Sequence, residues 1–353
     1  MKQVRQSNFE LLRLLSMFMI LALHANFFAL HSPSFEDCVK NPANTFFQNL
    51  LEFICIPSVN VFVLISGYFS IRPGVRNVSN LLFQYFYYSI GILFLFIIWG
   101  RVALPDILRT LLITFSFNNY WFLGSYLCLM FLSPFLNAYI NQCSKQNLLY
   151  WIILFFMFQF CTDFFYALAD FKGGASCLSF VGLYLFGRYI RLYGGALFEF
   201  NKYRDLAIYV GISLASICLI YAPNEFLYGI LLSKFMTYNS PVVIISSVFL
   251  FLFFSKLKFT SKWVNRFSES SFAIYLIHCH ILLIYDYYIP FFKHLSQSYS
   301  AFIFFAISFG MICLIFMGCI FIDQIRIWIW QISQNWIITR IEKIQNVFFL
   351  FKH

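Results

Sequence analysis

LLRLLSMFMILALHANFFAL, residues 11–30, reads as one membrane-crossing helix. Crossing a hydrocarbon core takes about 20 predominantly apolar residues. The apolar region of a cleaved leader runs only about 7–15 residues and ends at a small-residue cleavage pattern. This run is longer and lacks that pattern, so it is expected to be retained. Two ionisable residues interrupt it, Arg13 and His24, eleven positions apart. At about 100° per residue, that step is three turns plus roughly 20°. Both side chains therefore share one face, about 16 Å apart along the axis. The expected arrangement is a cation near one membrane surface with an imidazole deep in the bilayer beyond it. Ionisable residues at such depth are costly, which makes each a candidate functional residue.

The rest of the chain extends the pattern. Hydrophobic residues make up 61% of the 353 positions and charged residues 11%, where soluble domains average about 45–50% and 25%. Apolar runs recur at 11–31, 46–70, 79–99, 119–140, 148–168, 176–192, 205–222, 239–255, 270–289 and 298–322. The expected fold class is all-α, a polytopic transmembrane helix bundle of about ten spans; the sixth, seventh and eighth runs are the short ones. If the N-terminus is cytoplasmic, the outer segments hold Lys40, Arg101, Arg109, Lys172, Lys234 and Lys293, leaving eighteen of the 24 Lys and Arg inside. That asymmetry follows the positive-inside rule and predicts both termini on the cytoplasmic side. The net charge of +10 then reports orientation in a lipid bilayer, and nucleic acid is not an expected partner.

The reading divides the chain into a membrane domain, 1–322, and a cytoplasmic amphipathic tail, 323–353. In the tail, Trp328, Trp330, Ile337, Ile341, Ile344 and Phe348 alternate with Arg326, Arg340 and Lys343, a pattern suited to a helix lying on the interface. Segment 101–118 is apolar but short and carries Arg101, Asp106 and Arg109, so an outer-surface or re-entrant helix is expected there. The ten cysteines are scattered and none forms a CxxC unit. Their spacing indicates neither a zinc site nor a redox pair, and they read as small apolar packing residues.

The remaining polar inventory at membrane depth is small. Glu10 lies three residues before Arg13, within reach of an i,i+3 pair. Glu52 falls inside the second run. Asn60, Ser66 and Gly67 interrupt the same run, which leads into Arg72 and Arg76. Asn118, Asn119, Tyr120 and Trp121 open the fourth. The ninth begins with Ser268, Glu269, Ser270 and Ser271 and contains Tyr275, His278 and His280. Each has a structural reading beside the functional one. Arginines near helix ends snorkel to head groups, and Arg72 and Arg76 could be ordinary positive-inside anchors. His24 could bond a neighbouring helix, and Glu52 could pair with an Arg or Tyr. His278 and His280 are about 200° apart on a helix, so at most one is expected to face the cavity that His24 faces.

Taken together, separated blocks resemble acyltransferase family 3, multi-span membrane acyltransferases that modify cell-surface glycans. They are RQSNFELLRLLSMFMILALH (5–24), NVFVLISGYF (60–69), YWFLGSYLCLMFLSPFLN (120–137) and SSFAIYLIHCHIL (270–282). The second is similar to the family's FFVLSGF stretch, the third to its WFL…YL…P span and the fourth to its SYxIYLIH stretch. Many members carry two Arg separated by two residues on the inner side of span three; here Arg72 and Arg76 are separated by three. The chain also ends without the esterase-like domain some members carry, so the bundle alone is expected to do the chemistry.

The resemblance implies a multi-pass protein of the bacterial cytoplasmic membrane. It implies an acyl-coenzyme A donor, most often acetyl, as substrate, with no bound cofactor. The acceptor is a carbohydrate hydroxyl, on a polysaccharide or its lipid-linked precursor. Arg13, Arg72 and Arg76 would meet the donor's phosphates, because Arg matches phosphate geometry with paired donors. His24 would act as general base on the sugar hydroxyl, a contribution of roughly 10²–10⁴-fold. Glu10 or Glu52 would orient its ring. Asn60, Ser66, Tyr275 and His278 are candidates for lining the cavity or stabilising the thioester oxyanion. Ser66 is not set in a G-x-S-x-G elbow, so direct transfer is the simpler expectation. A transporter or flippase of exopolysaccharide synthesis would share the many spans, but no inverted repeat is visible. A glycan polymerase would need a large outer polar loop, and the outer loops here are short.

Overall fold

The computed structural model describes residues 5–117, 120–165, 171–220 and 224–350, with the side chains of 218–220 and 342–350 undescribed. Lys2, Asn118, Asn119, Lys352 and His353 therefore lie outside the described residues, as do the side chains of Lys343, Ile344 and Phe348. The described chain contains helices and no strand. In a lipid phase every backbone N–H and C=O must be satisfied internally, and a helix does this within one segment.

Helix α1, Ser7–Leu23, widens into a π-helical turn at His24–Phe28. Short α2, Phe35–Lys40, leads to α3, Pro42–Cys55, and α4, Ser58–Phe69. Next come α5, Val75–Ile98, α6, Leu104–Phe115, α7, Trp121–Gln142, and α8, Lys145–Phe165. Then α9, Cys177–Tyr193, α10, Gly195–Glu199, α11, Lys202–Ile220, α12, Glu225–Phe235, and α13, Pro241–Ser255. The last stretch comprises α14, Lys262–Phe267, α15, Ser271–His278, α16, Ile281–Leu283, α17, Ile289–Ser298, and α18, Ala301–Leu350.

A helix thus occupies each of the ten predicted runs. Among the described residues, six are long and apolar enough to cross a membrane, or seven if the bent pair Lys262–His278 and Ile281–Ser298 counts as one span. Segment 104–115 is a short amphipathic helix whose Leu104, Leu108, Leu112 and Phe115 face outward. The tail differs from the expected separate interfacial helix: α18 runs through residue 322 without a break.

Prolines create carbonyls without donors, and neighbouring side chains satisfy them. Pro57 offers no N–H to the Phe53 carbonyl. Ser213 of α11 reaches that oxygen at 3.5 Å, and Tyr209 donates to the adjacent Ile54 carbonyl at 2.6 Å. Pro134 deprives the Met130 carbonyl in the same way, and the Ser133 hydroxyl donates to it at 2.7 Å.

Helix α1 runs through the middle of the bundle, against α3, α4, α13, α14, α15 and α18. Helices α4 and α9 pack most intimately, because glycines remove the side chains between them. A Cβ on Gly67 would stand 2.2 Å from the Tyr184 carbonyl oxygen, and one on Gly187 2.4 Å from that of Leu64. Small residues at such crossings let two membrane helices approach backbone to backbone.

Candidate active site

Two helices lose regular geometry at the same place. α1 opens into its π turn at His24, where Asn26 takes φ −100° and ψ −108°. The late helix breaks between His278 and Ile281, with a bend of 63°. Such widened turns and broken helices free backbone groups and redirect side chains, and they recur at functional sites. Here they are held by specific bonds. Asn26 donates to the Gln48 carbonyl at 2.8 Å and to Glu52 Oε2 at 3.0 Å. Tyr288 donates to the Leu21 carbonyl at 2.7 Å, at the entrance to the π turn.

His24 Nδ1 lies 2.9 Å from His278 Nε2, and His278 Nδ1 lies 2.6 Å from the Ile274 carbonyl oxygen. A carbonyl only accepts, so His278 Nδ1 carries the proton. A neutral His278 then offers its Nε2 lone pair. His24 Nδ1–H donates to that lone pair, which leaves His24 Nε2 unprotonated. The network therefore assigns both tautomers, ending in a basic nitrogen on the residue that faces the cavity.

That cavity has a volume of about 250 Å³ and runs along α1 past Arg13, Met17, Ile20 and His24. Its other walls include Ser66, Gln84, Trp121, Phe122, Tyr126, Tyr238, Glu269 and Tyr275. A second, more open cavity of about 850 Å³ is lined by Arg5, Arg76, Asn80, Gln84, Glu269, Arg326 and Gln334. Gln84 and Glu269 belong to both, so the two chambers adjoin. The outer one is cationic; the inner one is largely aromatic and aliphatic.

The structure thus brings together Arg13, His24, Ser66, Tyr275 and, behind His24, His278. Arg13 is bound to Glu10 at 2.5 Å, the pair expected from their spacing. Ser66 donates to the Phe62 carbonyl at 2.9 Å and sits 3.2 Å from Tyr126 Oη. His280 points elsewhere, to the Ser89 carbonyl.

Several expectations change. Neither carboxylate orients His24: Glu10 holds Arg13, Glu52 holds the π turn through Asn26, and the ring's partner is His278. His278 is therefore not on the cavity wall as an oxyanion donor. Asn60 does not line the cavity; its amide donates to the Tyr238 carbonyl at 2.7 Å and so fixes a residue that does. Arg76 lines the outer chamber and bonds Gln334, whereas Arg72 is exposed and lines neither chamber.

Residues the sequence reading left aside complete the outer chamber. Arg326 is buried and held bidentately by Asp323 at 2.7 Å, and Tyr88 donates to the same carboxylate at 2.6 Å. Its only sequence signal is an Asp and an Arg three residues apart just beyond an apolar run. Cys279 Sγ lies 3.2 Å from His278 Nε2 and 3.5 Å from His24 Nδ1, so His24, His278 and Cys279 form a cluster of metal-competent atoms. No local motif announces it, because 254 residues separate the two histidines.

Comparison with curated proteins and with solved structures returned no match. A family model described as Acyltransferase domain matches residues 6–324, from the start of α1 past the Asp323 that holds Arg326. The matched span contains both chambers' basic and imidazole groups except Arg5 and Arg326 itself. The chain belongs to acyltransferase family 3.

Proposed function

We propose that this protein is a membrane O-acyltransferase that moves an acyl group, acetyl in the simplest case, from cytoplasmic acyl-coenzyme A to a carbohydrate hydroxyl of a cell-surface polysaccharide or its lipid-linked precursor. The observation that carries this reading is the relay from the Ile274 carbonyl through His278 to His24, which ends at the inner chamber. The proposed setting is the bacterial cytoplasmic membrane, with about ten crossings and both termini inside. The charge asymmetry and a helix in each apolar run support that topology.

The chambers match the donor's two parts. Coenzyme A is a phosphate-rich head on a long, thin arm that ends in the thioester. The head fits a cationic vestibule holding Arg5, Arg76 and Arg326. The arm fits the narrower chamber, entering past Gln84 and Glu269 and reaching His24. Arg13 stands along that path. In the reaction the acceptor oxygen attacks the thioester carbonyl while its proton passes to His24 Nε2. Collapse of the tetrahedral intermediate expels the coenzyme A sulfur, which takes that proton and leaves as the thiol. Tyr275, which lines the same chamber, offers a hydroxyl for the developing oxyanion, whereas the Ser66 proton is already given to the Phe62 carbonyl.

The test uses inverted membrane vesicles, labelled acetyl-coenzyme A and release of free thiol. Wild-type protein consumes the donor in the presence of acceptor and the His24→Ala protein does not. Equal inertness of both, at matched expression, removes the acetyl donor from the reading.

A further inference from the structure

We propose that His24, His278 and Cys279 form a zinc-binding site. Each offers one ligand atom, and the three atoms lie within 4.8 Å of one another. The edges of the triangle are 2.9 Å between the ring nitrogens and 3.2 and 3.5 Å from each nitrogen to sulfur. Tetrahedral zinc, with Zn–N of about 2.0–2.1 Å and Zn–S of about 2.3 Å, needs edges of roughly 3.3 and 3.5 Å. No edge has to lengthen by more than about 0.5 Å to accept the ion on that estimate.

The surroundings fit as well as the distances. A metal-bound histidine characteristically donates its other N–H to a carbonyl or carboxylate, which fixes the tautomer. His278 does this already, from Nδ1 to the Ile274 carbonyl at 2.6 Å. His278 and Cys279 are buried, at 3% and 9% exposure, and sit where the late helix breaks. The cluster supplies three ligand atoms, so a tetrahedral ion there takes its fourth ligand from water or a small oxygen donor. Two imidazoles and a thiolate select zinc over the oxygen-seeking magnesium and calcium.

Protons balance without any redox partner. The Cys279 thiol releases its proton to solvent, His24 transfers its proton from Nδ1 to Nε2, and His278 keeps its own on Nδ1. One proton leaves per ion bound. A further consequence, which rests on the acyltransferase reading, is that zinc inhibits transfer, because His24 Nε2 is then protonated and no longer a base.

Full-length protein in detergent, stripped with a chelator, is titrated with Co²⁺ as a spectroscopic stand-in. The expected result is one ion per chain with tetrahedral visible bands and a thiolate-to-cobalt charge-transfer band, both displaced by Zn²⁺. Cys279→Ser abolishes the charge-transfer band, whereas Cys55→Ser, at a cysteine outside the cluster, retains it. His278→Gln weakens binding at least about tenfold, and it carries the test if Cys279→Ser does not fold. Absence of the band in the wild type, or its persistence unchanged in Cys279→Ser or His278→Gln, overturns the proposal. The spectra are read without donor or acceptor, so their failure leaves the transfer assay standing, and a failed transfer assay leaves the spectra standing.

Discussion

At the residue scale, the two nitrogens of His24 have different settings: Nδ1 is bonded to His278, and Nε2 is the atom proposed to take the acceptor's proton. Replacing the ring and replacing its orienter should therefore look different. If His24 is the general base, His24→Ala should lower the transfer rate by roughly 10²–10⁴-fold, the usual contribution of a positioned base. His278→Gln leaves the base present but without its partner at Nδ1. Steady-state kinetics on that variant should show a fall in kcat with KM for acetyl-coenzyme A unchanged, because His278 lies behind His24 and lines neither chamber. A purely structural role would instead raise KM or lower the amount of folded protein in parallel. The sequence made half of this legible. Arg13 and His24 share a face by helical arithmetic alone, and both line one chamber. His278 stood out only as one of two histidines, and nothing local told it from His280. Their destinations are set by a helix break, which sends one ring to His24 and the other to the Ser89 carbonyl. Glu52 was legible as a buried charge but not as the holder of a π turn, since that role depends on Asn26 leaving helical geometry.

At the element scale, the bundle is set by where backbones touch and where helices break. Gly67 sits beside Ser66 on α4, and the Tyr184 carbonyl of α9 occupies the space a side chain would need. Tyr184 also ties down the end of α4, donating to Asn137 at 2.8 Å and accepting from the Ile71 N–H at 3.0 Å. Gly67→Ala should therefore force α4 and α9 apart and cost about 1–3 kcal/mol or more, the range for overpacking a filled interior. Gly91→Ala is the matched control, because a Cβ there meets nothing within 4 Å. Thermal melting in detergent should show a lowered transition for the first and an unchanged or slightly raised one for the second. Equal behaviour would mean that α4 and α9 are not in backbone contact. The breaks were only partly readable. Pro57 and Pro134 are visible in the sequence as interruptions of the helical ladder. The groups that take over the freed carbonyls are not: Ser133 is next door, but Tyr209 and Ser213 come from a helix more than a hundred residues away.

At the scale of the whole molecule, the two adjoining chambers differ in chemistry, arginines around one and apolar walls around the other. No single run encodes the vestibule. Arg5 comes from the chain's start, Arg76 from the start of α5, and Arg326 from α18. Arg326 illustrates why the sequence concealed it. A cation just past an apolar run reads as a membrane anchor, and only the packing of α18 against α5 turns it inward, where Asp323 and Tyr88 fix it. If the vestibule holds the donor's phosphates, its arginines act on the head of coenzyme A and not on the thioester. Arg76→Ala and Arg326→Ala should then raise KM for acetyl-coenzyme A with little change in kcat. Charge-assisted hydrogen bonds contribute about 1.5–3 kcal/mol, which corresponds to roughly 10- to 150-fold in KM at about 1.4 kcal/mol per factor of ten. Arg72→Ala, at an exposed residue lining neither chamber, should match the wild type. Acetyl-pantetheine, which keeps the thioester and arm but lacks the nucleotide head, separates the possibilities. The wild type should use it poorly, and the two vestibule variants should use it no worse than the wild type does. If they lose activity on the headless donor as well, Arg76 and Arg326 support the fold or the chemistry, and the donor's phosphates bind elsewhere.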